Sequence, residues 1–228
     1  MSANKSNMGT CCSTHGSLLK DEEAYIEEIA AKNLKLARYE DAIHNFERVL
    51  NDYRESYGEN NNLVATIYAK MGETYQSANQ DKLALEHFVK ALNIATEVNG
   101  EYNKTVENLC EIIANIYLLD DKKKEAIEYL ERLLKIKLQS KGELHLEVAS
   151  AHSQLGTLYE DLGEYVKAVN HYGKSVSIRK YLNNDDNEAV ASTYRSMGII
   201  MLEKLRDNYG ALENLEKALY IFKDIRGD

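Results

Sequence analysis

The chain has 228 residues, of which 44% are hydrophobic and 29% charged; the net charge is −9, with 12 glycines and no proline or tryptophan. No run of about 18 apolar residues occurs, so there is no candidate for a membrane-spanning helix, and the acidic balance argues against a phosphate-binding surface, so no nucleic-acid partner is expected. The lack of proline points to long helices rather than a loop-rich or all-β chain, and 16 tyrosines against 3 phenylalanines favour half-buried rings with a hydrated hydroxyl.

Residues 1–20 are polar and contain two lysines and no acid, which reads as a disordered tail ahead of a folded region at 21–228. The tail lacks the apolar stretch of a secretory signal and the arginine-rich pattern of a transit peptide. Cys11, Cys12 and Cys110 are too few for a disulfide framework, and a reducing, cytoplasmic setting is expected. Cys11, Cys12 and His15 lack a fourth metal ligand, so neither metal nor cofactor is expected. S-acylation of Cys11 and Cys12 would lack a second anchor, since Ser2 stands where myristoylation needs glycine; membrane attachment is not expected.

From residue 21 onward the chain repeats with a period of 42. Ala42, Ala84, Ala126 and Ala168 are spaced by 42 and Ala211 follows at 43, the extra residue being assigned to the turn Arg206-Asp207-Asn208. Val64, Val106, Val148 and Val190 form a second column, Gly72, Ala114, Gly156 and Gly198 a third, and Tyr75, Tyr117 and Tyr159, with Met201, a fourth. Within a unit the steps are helical: Val64, Tyr68, Met71 and Tyr75 recur as Val148, His152, Leu155 and Tyr159. A second stripe, Ala84, Phe88 and Ala91, begins nine residues past the tyrosine and recurs as Ala168, Tyr172 and Ser175. Each unit therefore reads as two antiparallel helices, and the small-residue column lets them approach closely. Polar turns at 79–81, 120–121 and 207–208 join the two helices; Gly58, Gly100, Gly142 and Asn184, again 42 apart, read as left-handed helix ends between units. Since one hairpin cannot bury its own stripe, the copies are expected to stack into an all-α solenoid of about five hairpins in a right-handed superhelix, with repeats near 21–61, 62–103, 104–145, 146–187 and 188–228.

These residues resemble tetratricopeptide repeats, and the length resembles the 42-residue repeats of kinesin light chains rather than the ordinary 34. The family's linker resembles G-x-x-H-P-x-V-A; here it reads Gly58 to Ala65, Gly142 to Ala149 and Asn184 to Ala191, with the histidine kept only at His145 and the proline absent. The family's paired groove asparagines are replaced by Ala69-Lys70, Glu111-Ile112, Ser153-Gln154 and Arg195-Ser196. The resemblance implies a non-enzymatic adaptor whose first helices line a concave groove. By that analogy the candidate groove comprises Thr66, Ala69, Glu73 and Gln76; Asn108, Glu111, Asn115 and Leu118; Ser150, Ser153, Thr157 and Glu160; and Ser192, Arg195, Ile199 and Leu202. The expected partner is a short peptide or helix with some basic residues, because the lining is small, polar and mildly acidic.

Several features have plainer readings. His152 lies in the apolar stripe near His171 and reads as a structural histidine, since no nucleophile or paired carboxylate accompanies it. Lys122 to Lys124, Arg132, Lys135, Lys137 and Lys141 read as a solvated face paired with the interleaved Glu125, Glu128 and Glu131. Arg226-Gly227-Asp228 falls at the inter-repeat position and is not read as an adhesion motif. The first hairpin carries Glu22 and Asn33 in the valine and tyrosine columns, as an N-terminal cap would. Phe222 and Ile225 leave the last helix uncovered, which predicts self-association there or a longer repeat array. The alternative function is a structural component of a cytoskeletal, motor-associated or ciliary assembly that uses terminal and convex surfaces.

Overall fold

The computed structural model describes residues 28–30, 32–33, 38–182 and 188–227. The expected tail with Cys11, Cys12 and His15, and the positions Glu22, Asn184 and Asp228, lie outside the described residues. The chain divides at Gly100 into two compact units. The first contains α1 (Tyr39–Tyr57), α2 (Asn62–Ser77) and α3 (Asp81–Asn99). The second contains α4 (Lys104–Leu119), α5 (Lys123–Lys141), α6 (Leu146–Asp161), α7 (Tyr165–Tyr181), α8 (Glu188–Ile200), a π-helical turn (Met201–Leu205) and α9 (Asn208–Arg226). No strand occurs among the described residues. In each unit, successive helices pack as hairpins, and hairpins stack on their neighbours.

The repeat columns form the core. Val64, Val106, Val148 and Val190 are fully buried, as are Ala42, Ala84, Ala126 and Ala168. The framework tyrosines pack their rings on the second helix of their own hairpin: Tyr75 on His87 at 4.9 Å, Tyr117 on Tyr129 at 5.7 Å and Tyr159 on His171 at 5.4 Å between ring centroids. These separations are those of favourable tilted and offset ring pairs. The small-residue column marks the closest helix approaches: a Cβ added at Gly72 would stand 2.9 Å from the Phe88 ring, and one at Gly156 would stand 2.6 Å from the Tyr172 ring.

The first helices α2, α4 and α6 start with a side-chain cap. Asn61 and Asn103 accept the amide protons of Leu63 and Thr105 at 2.8 and 2.7 Å, and His145 accepts that of Glu147 on Nδ1 at 3.1 Å. These three residues are again 42 apart and satisfy an amide that a helix start leaves unpaired. The turns before α3, α5 and α7 use backbone instead. Gln80, Lys122 and Glu164 each donate to the carbonyl of the tyrosine five residues earlier, while Asn79, Asp121 and Gly163 donate to the carbonyl three back, which is the Schellman arrangement around one residue of positive φ. Asn79 and Asp121 adopt that conformation without being glycine, at φ 57° and 54°, as short polar side chains tolerate.

Three details correct the expectations. The extra residue of the last repeat lies one turn before Arg206-Asp207-Asn208: Arg206 is the positive-φ residue, one before the helix cap as in the other hairpins, while Met201–Leu205 widens into a π turn. Accordingly the amide of Asp207 reaches back six residues to Met201 rather than five. Second, Gly58, Gly100 and Gly142 are not left-handed helical; with φ of 83°, 80° and 82° and ψ of 169°, 168° and 169° they occupy a region essentially open to glycine alone. Third, the ion pairs described for the basic residues near α5 reach carboxylates other than Glu125, Glu128 and Glu131. Among the described contacts, Lys122 pairs with Asp120, Lys123 with Asp161 and Lys141 with Glu147, while Arg132 clasps Glu101 with two 2.6 Å contacts. Lys137, buried and only 11% exposed along its side chain, meets Glu147 at 3.1 Å, and Glu131 accepts from the Tyr159 hydroxyl. Four lysines and an arginine thus pin linkers and neighbouring helices rather than decorating one solvated face.

Candidate binding face on the first helices

The face follows from what each first helix buries. On α6, Val148, Ala149, Ala151, His152, Leu155, Gly156, Leu158 and Tyr159 are inside, so the steps of three and four running through Ser150, Ser153, Thr157 and Glu160 emerge beside the core. The same arithmetic exposes Asn108, Glu111, Asn115 and Leu118 on α4. On α8, Arg195 and Ile199 are exposed and Ser192 is half-buried, while Leu202 is carried outward on the π turn, 48% exposed. In the first unit, Thr66 and Glu73 are exposed and Ala69 and Gln76 half-buried on α2.

On α6 these positions are not free side chains. Arg179 donates to Ser150 Oγ at 3.2 Å, Ser153 Oγ and Ser175 Oγ share a 2.7 Å hydrogen bond, and the Tyr172 hydroxyl donates to Glu160 Oε2 at 2.8 Å while lying 3.1 Å from Thr157 Oγ1. A polar ladder from α7 therefore organises the α6 row. Burial, together with the Glu160 carboxylate, raises the Tyr172 hydroxyl above the ordinary phenol range and keeps it protonated as a donor. Tyr172, Ser175 and Arg179 were not among the expected site residues. One trace was present in the sequence: the column Phe88, Leu130, Tyr172, Leu215 carries a hydroxyl only at Tyr172. Because Tyr172 crosses the helix next to Gly156, its ring passes over the gap and its oxygen surfaces at the face. The α4 and α8 rows show no comparable ladder among the described hydrogen bonds.

Among the described residues no group of three or more metal-ligating side chains exists, and no helix is long and apolar enough to cross a membrane. His152 and His171 are neighbours as expected, with their Nδ1 atoms 3.1 Å apart.

The regular hairpins, their small-residue crossings and the turn geometry define a helical-repeat protein. The model of the tetratricopeptide repeat family matches residues 22–97, 105–181 and 147–224, and the chain belongs to that family. No curated protein sequence matches it. Solved structures show the same fold. BtubC (BKLC) from P. vanneervenii superposes with a TM-score of 0.61 at 21% identity over 89% of this chain and 80% of that one. A kinesin-light-chain protein of nearly identical repeats from Podosopora anserina does so at 0.63 and 16%, over 90% and 97%. YrrB, described as a tetratricopeptide repeat protein with an unusual peptide-binding site, gives 0.56 and 19%, over 91% of each chain.

Proposed function

We propose that this chain is a non-enzymatic protein-interaction scaffold, built from five repeats over 21–228, that takes a short peptide or single helix on its first-helix faces, without a cofactor and in a cytoplasmic setting. The observation that carries the reading is the row on α4, α6 and α8: mostly small or polar side chains, together with exposed Leu118, Ile199 and Leu202, held at the surface beside the core, with the α6 segment braced by Tyr172, Ser175 and Arg179. Such a row offers hydrogen bonds to an extended backbone and leaves room for its side chains. YrrB, on the same fold, has a peptide-binding site, which supports peptide binding by such a scaffold. Glu111 and Glu160 outnumber Arg195 within the second unit, which favours a ligand carrying lysine or arginine. Screening a peptide library against the purified chain tests it: basic peptides should be enriched, and replacing Glu111 and Glu160 together by lysine should abolish the enrichment. Unchanged binding by the double variant refutes the proposal.

A second reading has its own observation. Leu212 and Leu219 on α9 are 57% and 55% exposed, whereas Ile127 and Leu134, at the corresponding places on α5, are 7% and 8% exposed. An apolar strip that neighbouring helices cover elsewhere supports self-association through α9 with a second copy, as a structural component would use it. Light scattering decides this: Leu212→Glu with Leu219→Glu should convert a dimer to a monomer, and a monomer at all micromolar concentrations for the unaltered chain sinks it.

A further inference from the structure

A cleft of about 630 Å³ opens between α5, α6 and α7, away from the α4/α6/α8 row. Its walls include Leu134, Leu138, Leu144 and Val148, and its polar end holds His152, His171 and Lys174. Comparison with the other repeats explains why it is open. The column of His152 reads Tyr68, Cys110, His152, Tyr194, and the column of Lys174 reads Lys90, Arg132, Lys174, Lys217. Where tyrosine is present, ring and cation satisfy each other: Lys90 lies 5.5 Å from the centre of the Tyr68 ring and Lys217 lies 5.5 Å from that of Tyr194. Arg132, opposite the small Cys110, is held by Glu101 instead. In the fourth repeat the imidazole replaces the larger phenol ring, and Lys174 makes no ion pair or ring contact among the described residues. The fourth repeat thus has both a missing volume and an unengaged cation at the same place.

We propose that this cleft binds a small amphipathic monoanion, an aliphatic chain bearing one carboxylate, with the chain on the leucine and valine walls and the head on Lys174 and His171. The volume is in the range of small-molecule sites, about 300–1,000 Å³. The charge balance also fits one negative charge. His152 and His171 share a hydrogen bond between Nδ1 atoms, which requires one ring to donate and the other to accept, so at least the accepting ring is neutral. Burial, with Lys174 beside both rings, holds both imidazoles below their ordinary range. The groups facing the pair are Lys174 and Lys167 from α7, Glu131 from α5 and Tyr159 from α6, and Glu131 is engaged by the Tyr159 hydroxyl. Among the described residues Glu143 is the one carboxylate lining the cleft, and it comes from the α5–α6 linker rather than from α7. Lys174 is therefore the fixed positive charge at the polar end, and an anionic head placed there gains a charge-assisted hydrogen bond that a neutral head lacks.

The site is separate from the first-helix faces and does not depend on the peptide reading. The test uses decanoate and its neutral counterpart decanol with the full chain, read by calorimetry and by the imidazole resonances of His152 and His171. Decanoate should bind more tightly than decanol and shift both imidazoles. Lys174→Ala should weaken decanoate by about tenfold while leaving decanol unchanged, in line with the loss of one charge-assisted contact. His152→Tyr, which restores the residue found in the second and fifth repeats, should close the cleft to both ligands. Lys174 is exposed, so its replacement leaves the fold intact and circular dichroism verifies this. Equal affinity for decanol and decanoate, no binding of either, or decanoate affinity unchanged by Lys174→Ala overturns the proposal. An N-acetylated Leu-Asp-Leu peptide that binds in a Lys174-dependent manner while decanoate does not also overturns it, in favour of a protein segment.

Discussion

The helix crossings give the sharpest test of how these repeats are held together. Gly156 and Gly173 sit in the adjacent helices α6 and α7, yet alanine is expected to act on them with opposite sign. A Cβ at Gly156 would stand 2.6 Å from two carbons of the Tyr172 ring, whereas one at Gly173 would meet only the Met197 methyl at 4.0 Å. Both substitutions gain helix propensity, about 1 kcal/mol for glycine to alanine. At Gly156 the ring must move, but Tyr172 is 4% exposed and its hydroxyl is tied to Glu160. Overpacking of this kind costs about 1–3 kcal/mol. The net expectation is destabilisation by up to about 2 kcal/mol for Gly156→Ala and stabilisation by about 0.5–1 kcal/mol for Gly173→Ala. For a domain of this size each kcal/mol moves the melting temperature by about 2–4 °C. Urea titration monitored by circular dichroism measures both variants. The third repeat supplies the control, because Ala114 there faces the column position held by Leu130. Gly156→Ala combined with Tyr172→Leu should therefore be less destabilised than the sum of the single changes. If Gly156→Ala proves as stabilising as Gly173→Ala, the close crossing is not what shapes the hairpin.

Further expectations concern titration and reactivity. Burial first, then His171 and Lys174, depress the His152 imidazole to about 4 from its usual 6.5, so the unfolded chain takes up the proton earlier than the folded one. This contribution to stability is complete above about pH 6.5 and lost as pH falls towards 4; His152→Tyr should remove that part of the acid sensitivity in thermal melts. Hydrogen bonds from Lys137 and Lys141 lower the Glu147 carboxyl to about 2 from 4.5, so its contribution is present above pH 4.5 and disappears as pH falls towards 2. Because that side chain is 39% exposed, solvent screening limits the effect of Glu147→Gln at pH 7 to under about 1 kcal/mol, and the two proteins should converge in stability near pH 2. Burial raises the Cys110 thiol to about 11 and leaves it 0% exposed, so at pH 8 its alkylation, followed by peptide mass, should proceed only at the rate of unfolding.

The 42-residue period, the two helices per unit, the small-residue crossings and the glycines between units are all legible in the amino-acid order, because a hairpin repeat needs the same residue type wherever the same backbone contact recurs. Much less of the candidate face was legible. Ser150, Ser153, Thr157 and Glu160 could be placed beside the core by helical spacing, but their bracing by Tyr172, Ser175 and Arg179 depends on how α7 crosses α6, and periodicity carries no information about which second-helix side chains overreach the crossing. The basic residues of α5 misled for the same reason: neighbours in sequence offered Glu125, Glu128 and Glu131, while the closer carboxylates were Glu101, Glu147 and Asp161 on other segments.

What the amino-acid order by itself determined was therefore the local and periodic part: helix lengths, hairpin turns and a repeating core, each dictated by side-chain spacing along one or two helices. Tertiary structure alone decided where the odd forty-third residue went, since a π turn and a longer loop fit the same spacing and only the fixed Schellman geometry after Met201 distinguishes them. It also decided that exchanging a tyrosine for His152 opens a cleft rather than collapsing, because the leucine walls belong to α5 and its linker, whose positions are held by Lys137 and Lys141 on Glu147 rather than by the residue that changed.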